Sequence, residues 1–127
     1  GNGKLLFNAR SETADAKALF RDGMRQRRCL VPAAHYFEWE KRGKDRIKYA
    51  IRPGGASVMY MAGIYRLEND MPVFTILTRE PAAAISFIHD RMPVILPKEA
   101  AGDWLNIRYD AGDVLAGAVQ DVECWLA

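Results

Sequence analysis

With 127 residues and a formal net charge of +2, the chain has the length of one domain and too little charge to indicate a nucleic-acid partner by itself. Half of it is apolar, enough for a core, but no apolar run approaches the ~18 residues of a membrane span. Gly1-Asn2-Gly3-Lys4 leads into only three apolar residues, so no signal peptide is expected.

The distribution of charge says more than its sum. Arg21, Arg25, Arg27 and Arg28 fall within eight residues, and Lys41, Arg42, Lys44, Arg46 and Lys48 follow. From Ala111 to Ala127 there is no Lys or Arg. The N-terminal half is therefore expected to carry the positive field, either as a binding surface or as a solvated basic face. Cys29 and Cys124 lie far apart in apolar surroundings and read as buried free thiols, which suits a reducing cytoplasm.

In chain order, Leu5-Leu6-Phe7 is apolar and strand-like, and Ser11 or Thr13 is placed to cap a short helix reaching about Gly23. Cys29-Leu30-Val31-Pro32 reads as a strand broken by its proline, and His35 to Glu40 as an aromatic-rich extended segment. Lys41 to Asp45 is a charged turn around Gly43, followed by a β-like Ile47 to Arg52 and a turn at Pro53-Gly54-Gly55. Val58 to Tyr65 and Val73 to Thr78 are the clearest strands, with Asn69-Asp70 in the connection of a hairpin. Pro81 opens a helix predicted to run to Ile88, and Val94-Ile95-Leu96 is a short extended piece between prolines. Lys98 to Leu105 and Ala111 to Val119 read as short helices, and Val122 to Leu126 as a closing strand. Strands dominate the middle, so the class is α+β with a mostly antiparallel sheet.

No glycine-rich phosphate loop, GxSxG elbow or HExxH motif is present, and two histidines and two cysteines at these spacings do not assemble a zinc site. Neither a metal nor an organic cofactor is expected. Three features are unusual for a plain core. Glu38 sits among aromatics in Tyr36-Phe37-Glu38-Trp39, where it is either on a polar face or buried enough to suit proton transfer. His89, in His89-Asp90-Arg91-Met92-Pro93, stands at an expected helix end, either structural or projecting into a cleft. Asn8-Ala9-Arg10-Ser11-Glu12-Thr13 is a dense polar run that helix capping alone can explain.

Taken in order, Asn8-Ala9-Arg10-Ser11-Glu12-Thr13, Arg27-Arg28-Cys29-Leu30-Val31-Pro32-Ala33, Phe37-Glu38-Trp39, Ala62-Gly63-Ile64-Tyr65, Phe74-Thr75-Ile76-Leu77-Thr78 and His89-Asp90-Arg91-Met92-Pro93-Val94-Ile95-Leu96 resemble the SRAP family of SOS response-associated peptidases. The resemblance runs from about Leu5 to Leu105. It implies a barrel-like, bifurcated sheet with short flanking helices, and a basic cleft for single-stranded DNA containing abasic sites. It implies a nucleophile that is a cysteine at residue one, whose α-amine and thiol form a thiazolidine with the ring-opened sugar. A thiol-dependent self-processing and a cytoplasmic location, nucleoid-associated during DNA damage, are implied with it.

Carried over by position, Asn8 matches an asparagine that hydrogen-bonds near nucleophile and sugar, Glu38 the site carboxylate that shuttles protons, and His89 the histidine that helps open the ring. Arg10 and Arg91 match phosphate-holding arginines, and Trp39 offers a wall or stacking surface beside a splayed base. The family pattern starts Cys-Gly-Arg several dozen residues before its Asn-Ala-Arg, whereas seven residues precede Asn8 here and none is cysteine. One SRAP domain without the N-terminal segment and its nucleophile is expected, with Cys29 and Cys124 unable to substitute because neither has a free α-amine. A sheet edge left uncovered is expected to favour a homodimer. A non-catalytic single-strand-binding module and an inactive remnant are the alternative functions.

Overall fold

The computed structural model describes residues 8–127, so the strand expected at Leu5-Leu6-Phe7 lies outside the described residues. Nine strands and three helices follow one another: β1 (Asn8–Arg10), α1 (Ala18–Gln26), β2 (Arg28–Ala33), β3 (Tyr36–Arg42), β4 (Asp45–Pro53), β5 (Met59–Glu68), β6 (Met71–Arg79), β7 (Met92–Pro93), β8 (Ile95–Leu96), α2 (Lys98–Leu105), α3 (Ala111–Leu115) and β9 (Val122–Leu126). The class is α+β and mostly antiparallel, as the alternation of β-formers with short late helices implies.

The strands form two sheets. The first runs β1-β6-β5-β2, with β7 added to β6 and β8 to β5; the second runs β3-β4-β9. Both stay open, and there is no closed barrel among the described residues. Turn chemistry sets the hairpins. Asn69 (φ 50°) and Asp70 (φ 63°) take the left-handed conformation that a two-residue loop between twisted strands demands, joining Glu68 to Met71 in register. Gly43 (φ 63°) does the same between Arg42 and Asp45.

The first sheet is covered on both faces. One face meets the helices through Ala9, Phe20, Met24, Ala62, Ile64, Leu77, Val94 and Trp104. The other meets the second sheet through Ile51, Met59, Met61, Ile85, Ile88, Met92, Ile95 and Val122. The result is three layers: helices, sheet, sheet. Trp104 is fully buried, and its Nε1–H donates to the carbonyls of Cys29 (3.0 Å) and Gly63 (3.1 Å), fastening α2 across β2 and β5. Gly63 lets β2 and β6 pack closely on either side of β5: a Cβ there would lie 3.0 Å from Cys29 Sγ and 3.1 Å from the Thr75 carbonyl.

Four elements differ from the sequence reading. The helix expected from Ser11 or Thr13 to Gly23 is a 3-10 turn at Ala14–Ala16 and then α1, because Lys17 is extended (φ −93°, ψ 129°). No side-chain cap forms at Thr13; the Ser11 N–H instead extends β1 by donating to the Thr78 carbonyl (2.8 Å). The helix expected over Pro81 to Ile88 is one 3-10 turn at Ala83–Ile85. Ala82, Ile85 and Ile88 are buried three residues apart, a spacing that suits three residues per turn. The helix expected to reach Val119 ends at Leu115. Finally, Pro32 does not break its strand. It pairs with Tyr60 inside β2, an edge strand where the missing N–H is tolerated.

The basic N-terminal cluster is partly structural. Arg28 is buried, donating to the carbonyls of Met24 (2.7 Å), Tyr109 (2.9 Å) and Asn106 (3.3 Å), with its guanidinium 4.8 Å from the centre of the Trp104 ring. Arg27 Nε–H donates to the Tyr65 carbonyl (3.0 Å). The positive field that the sequence places there is therefore carried by fewer free cations than the count suggests.

Candidate active site

Strand alternation decides what meets in the cleft between the two sheets. In β1, Ala9 goes into the core and Asn8 and Arg10 take the opposite face. In β6, Ile76 and Thr78 are aligned with Asn8 and Arg10 through the parallel β1–β6 pairing. In β3, Tyr36 and Glu38 turn inward and are half-buried, while Phe37 and Trp39 turn outward. A cavity of about 220 Å³ opens between these strands, lined by Asn8, Tyr36, Glu38, Thr78, His89 and Arg91 above a floor of Met61, Ile76, Met92 and Pro93.

Four of the six residues singled out from sequence thus share one cavity. Arg10 stands two residues from Asn8 on the same face of β1 but outside the lining. Trp39 is on the opposite face of β3 from Glu38, so it does not wall the cavity. Cys29 and Cys124 do not line it either, and burial pushes the Cys29 thiol up, away from the reactive thiolate. Among the described residues no group of three or more His, Cys, Asp and Glu side chains is placed to hold a metal.

His89 is held at Nδ1. In the tautomer protonated on Nε2 the Arg91 backbone N–H donates to it (3.1 Å); in the other, Nδ1–H donates to the Arg91 carbonyl (3.3 Å). Asp90 Oδ1 lies 3.3 Å from the same nitrogen and becomes the partner when the ring is protonated. The loop thus offers this nitrogen a donor and acceptors, which fix the ring in place at the cavity. Glu38 Oε1 accepts from the Trp39 N–H (3.2 Å), fixing the carboxylate at the open edge of β3.

Arg91 is the most constrained member. It grips Glu12 with two parallel bonds, Nη1 to Oε2 (2.8 Å) and Nη2 to Oε1 (2.7 Å). Nε and Nη2 both donate to Thr78 Oγ1 (3.3 and 3.2 Å), so four of its five N–H groups are engaged. A phosphate at this guanidinium has to share it with Glu12. Hydrogen bonding from Arg91 holds the Glu12 carboxyl down at about 2, against an ordinary 4.5. A depressed carboxyl pKa adds stability above the unfolded value that is lost as pH falls toward the folded one. Acid titration should therefore show a stability loss between about pH 4.5 and pH 2 that Glu12→Gln reduces, followed by thermal unfolding. Solvent at the half-exposed Glu12 keeps the effect modest.

Tyr36, Glu12 and Thr78 were not assigned site roles from sequence. Thr78 and Glu12 stand inside motifs that carried the resemblance, but only the fold shows them converging on Arg91. The Tyr36 hydroxyl is buried without a hydrogen-bond partner among the described residues. Its pKa is raised, first by burial and then by the charge of Glu38. Tyr36→Phe is expected to leave the melting temperature unchanged or slightly higher, since it removes an unpaired polar group rather than a bond. A clear drop in the melting curve would show a bond this geometry lacks.

A larger cavity, about 590 Å³, lies beside α1 and is lined by Arg25, Arg28, Arg108, Asp15 and Asp110. Arg28 there is committed to backbone carbonyls and Arg25 faces Asp15 at 3.8 Å, whereas the residues that carry the family resemblance line the smaller cavity.

Fold and site together define a class: a three-layer α+β scaffold whose sheets hold a carboxylate, an imidazole, an amide and a guanidinium in one small cavity. The profile of the SOS response associated peptidase (SRAP) family matches residues 1–124, and the chain belongs to that family. It is 35% identical over 124 residues to the abasic site processing protein YoqW of Bacillus subtilis, covering 93% of this chain and 55% of that protein. It is 31% identical over 105 residues to the abasic site processing protein YedK of Escherichia coli, covering 80% and 47%. A crystal structure of a protein from Bacteroides thetaiotaomicron superposes with a TM-score of 0.84 at 30% identity, over 94% of this chain and 57% of that one. The chain thus spans about half the length of the relatives it matches.

Proposed function

We propose that this domain handles abasic sites in single-stranded DNA, receiving the base-free sugar in the cavity between the two sheets. The observation that carries the reading is the convergence of Asn8, Glu38, His89 and Arg91 on one space. At about 220 Å³ it is smaller than the ~300–1,000 Å³ of pockets for drug-sized ligands. That size suits a sugar better than a sugar with its base. The relatives named as abasic site processing proteins support the same substrate.

The chemistry follows from the groups present. An abasic sugar reacts through its ring-opened aldehyde, so a proton must leave the sugar hydroxyl and another must reach the ring oxygen. His89, which lines the cavity, takes the first proton and as the imidazolium returns one to the ring oxygen. Glu38 shuttles protons at an attacking amine, and Asn8 hydrogen-bonds the sugar. An N-terminal cysteine, bearing amine and thiol on one residue, would condense with the aldehyde: the amine forms an imine with loss of the carbonyl oxygen as water, and the thiol adds across the C=N bond to close a thiazolidine. Cys29 and Cys124 lie within the chain and have no free α-amine, so neither supplies that pair of groups.

Arg10 and Arg91 hold phosphates on either side of the lesion. Binding of a labelled single strand with one abasic site, compared with the intact strand across a salt series, tests this. Arg10→Ala with Arg91→Ala is expected to flatten the dependence of log affinity on log salt by about 1.4, two phosphate contacts at ~0.7 each. An unchanged slope and equal affinity for damaged and intact strands would remove the proposal.

A further inference from the structure

The second sheet has another face, turned away from the cavity. Its residues follow from the alternation that put Glu38 inside: His35, Phe37, Trp39 and Lys41 beside β4's Arg46, Lys48, Ala50 and Arg52, then Glu123 and Trp125 of β9. Phe37 and Trp125 flank the small Ala50 from either side, and Trp39 lies opposite Lys48. The His35 ring meets Phe37 edge-on (centroids 4.9 Å) and Trp125 likewise (5.9 Å). Lys48 Nζ stands 4.1 Å from the centre of Phe37 and 5.6 Å from that of Trp39, and the Arg52 guanidinium 5.0 Å from Trp125. Phe37, Trp39 and Trp125 nevertheless remain 43%, 44% and 39% exposed.

Three large rings this exposed on one sheet face, interleaved with cations, need a partner with flat π surfaces and negative charge. The carboxylate in these rows, Glu123, is already bonded to Arg52 at 2.6 Å, which leaves Lys41, Arg46 and Lys48 without a carboxylate partner in the rows among the described residues. A second copy of the same face would bring cation against cation. A DNA single strand offers what the face lacks: bases for the rings and phosphates for the lysines. We infer that the outer face of β3-β4-β9 is a stacking platform for a DNA single strand that crosses the open edge of β3 from the cavity.

The geometry allows this path. β3 pairs only with β4 among the described residues, so Glu38 on one side of it and Trp39 on the other border the same free edge. From β3 to β9 the platform spans about 10 Å, two inter-strand spacings. The inference rests on the single-strand reading for its link to the cavity, but the platform has its own readout.

Of the three tryptophans, Trp104 is fully buried, so quenching of emission by bases reports on Trp39 and Trp125. Titrating the chain with a ten-residue oligothymidine at low salt should quench its emission and raise the oligonucleotide's anisotropy together. Lys48→Glu and, separately, Phe37→Ala with Trp125→Ala should each weaken this binding about tenfold or more, the scale expected of one lost base-stacking contact. Exposed Lys48 makes the first variant safe for folding, which its melting curve checks. A trinucleotide centred on an abasic site, confined to the cavity, should bind all variants alike. Binding of the ten-residue strand without quenching, or with unchanged affinity in both variants, overturns the platform and leaves the cavity reading intact. Quenching with no preference for abasic strands does the reverse. Concentration-dependent dimers that bury the tryptophans without DNA also overturn it, in favour of a second copy.

Discussion

Trp104→Ala is expected to cost about 3–5 kcal/mol, because it empties the largest fully buried site in the chain. Domains of this size are stable by only about 5–15 kcal/mol, so most of the margin goes. Two carbonyls, of Cys29 and Gly63, lose their shared donor and stay enclosed. Arg28 loses the ring it packs on, 4.8 Å from its guanidinium, and keeps a charge whose pKa burial already lowers. Trp104→Phe goes some way to separating these effects: it keeps an aromatic ring and most of the volume but removes the N–H. The melting temperature should fall by about 10–20 °C for Ala and by less for Phe. A loss below about 1 kcal/mol for Ala would show that α2 is not fastened through this residue.

Glu38→Gln tests the chemistry. Supplied with a Cys-Gly-Arg peptide in trans, the chain is expected to speed thiazolidine formation on an abasic strand over the peptide alone. A positioned proton-transfer group contributes about 10²–10⁴-fold. Glutamine keeps the shape and the hydrogen bond from the Trp39 N–H but cannot take a proton. The acceleration should therefore fall on the order of 10²-fold while affinity for the strand stays nearly constant. Loss of affinity with the rate intact would instead make Glu38 a binding residue.

Much of the fold was legible because local chemistry and burial agree. The hairpin at Asn69-Asp70, the turn at Gly43 and the boundaries of α2 follow from turn residues and periodicity alone. Two of the misread helices share a cause. Ser11 and Ala82–Ile88 obey contacts from distant strands, the Thr78 carbonyl in one case and the core between the sheets in the other, which local propensity does not register. The site was legible as residues and not as a place. Asn8, Glu38, His89 and Arg91 carried the family resemblance, and the fold brought them together. Trp39 shows the limit: adjacent in sequence to Glu38, it is sent to the other face by a period of two. The Arg91–Glu12 pair, between residues 79 positions apart, had no local signature.

The chain's two histidines allow the most direct test of the central claim, since His89 lines the cavity and His35 belongs to the outer aromatic face. Their imidazole proton resonances can be told apart with a His35→Ala variant and followed while an abasic trinucleotide is added. The His89 signal is predicted to move and saturate, with little response to the intact trinucleotide and none at His35. A His89 signal that stays fixed while the strand binds would contradict a sugar in this cavity.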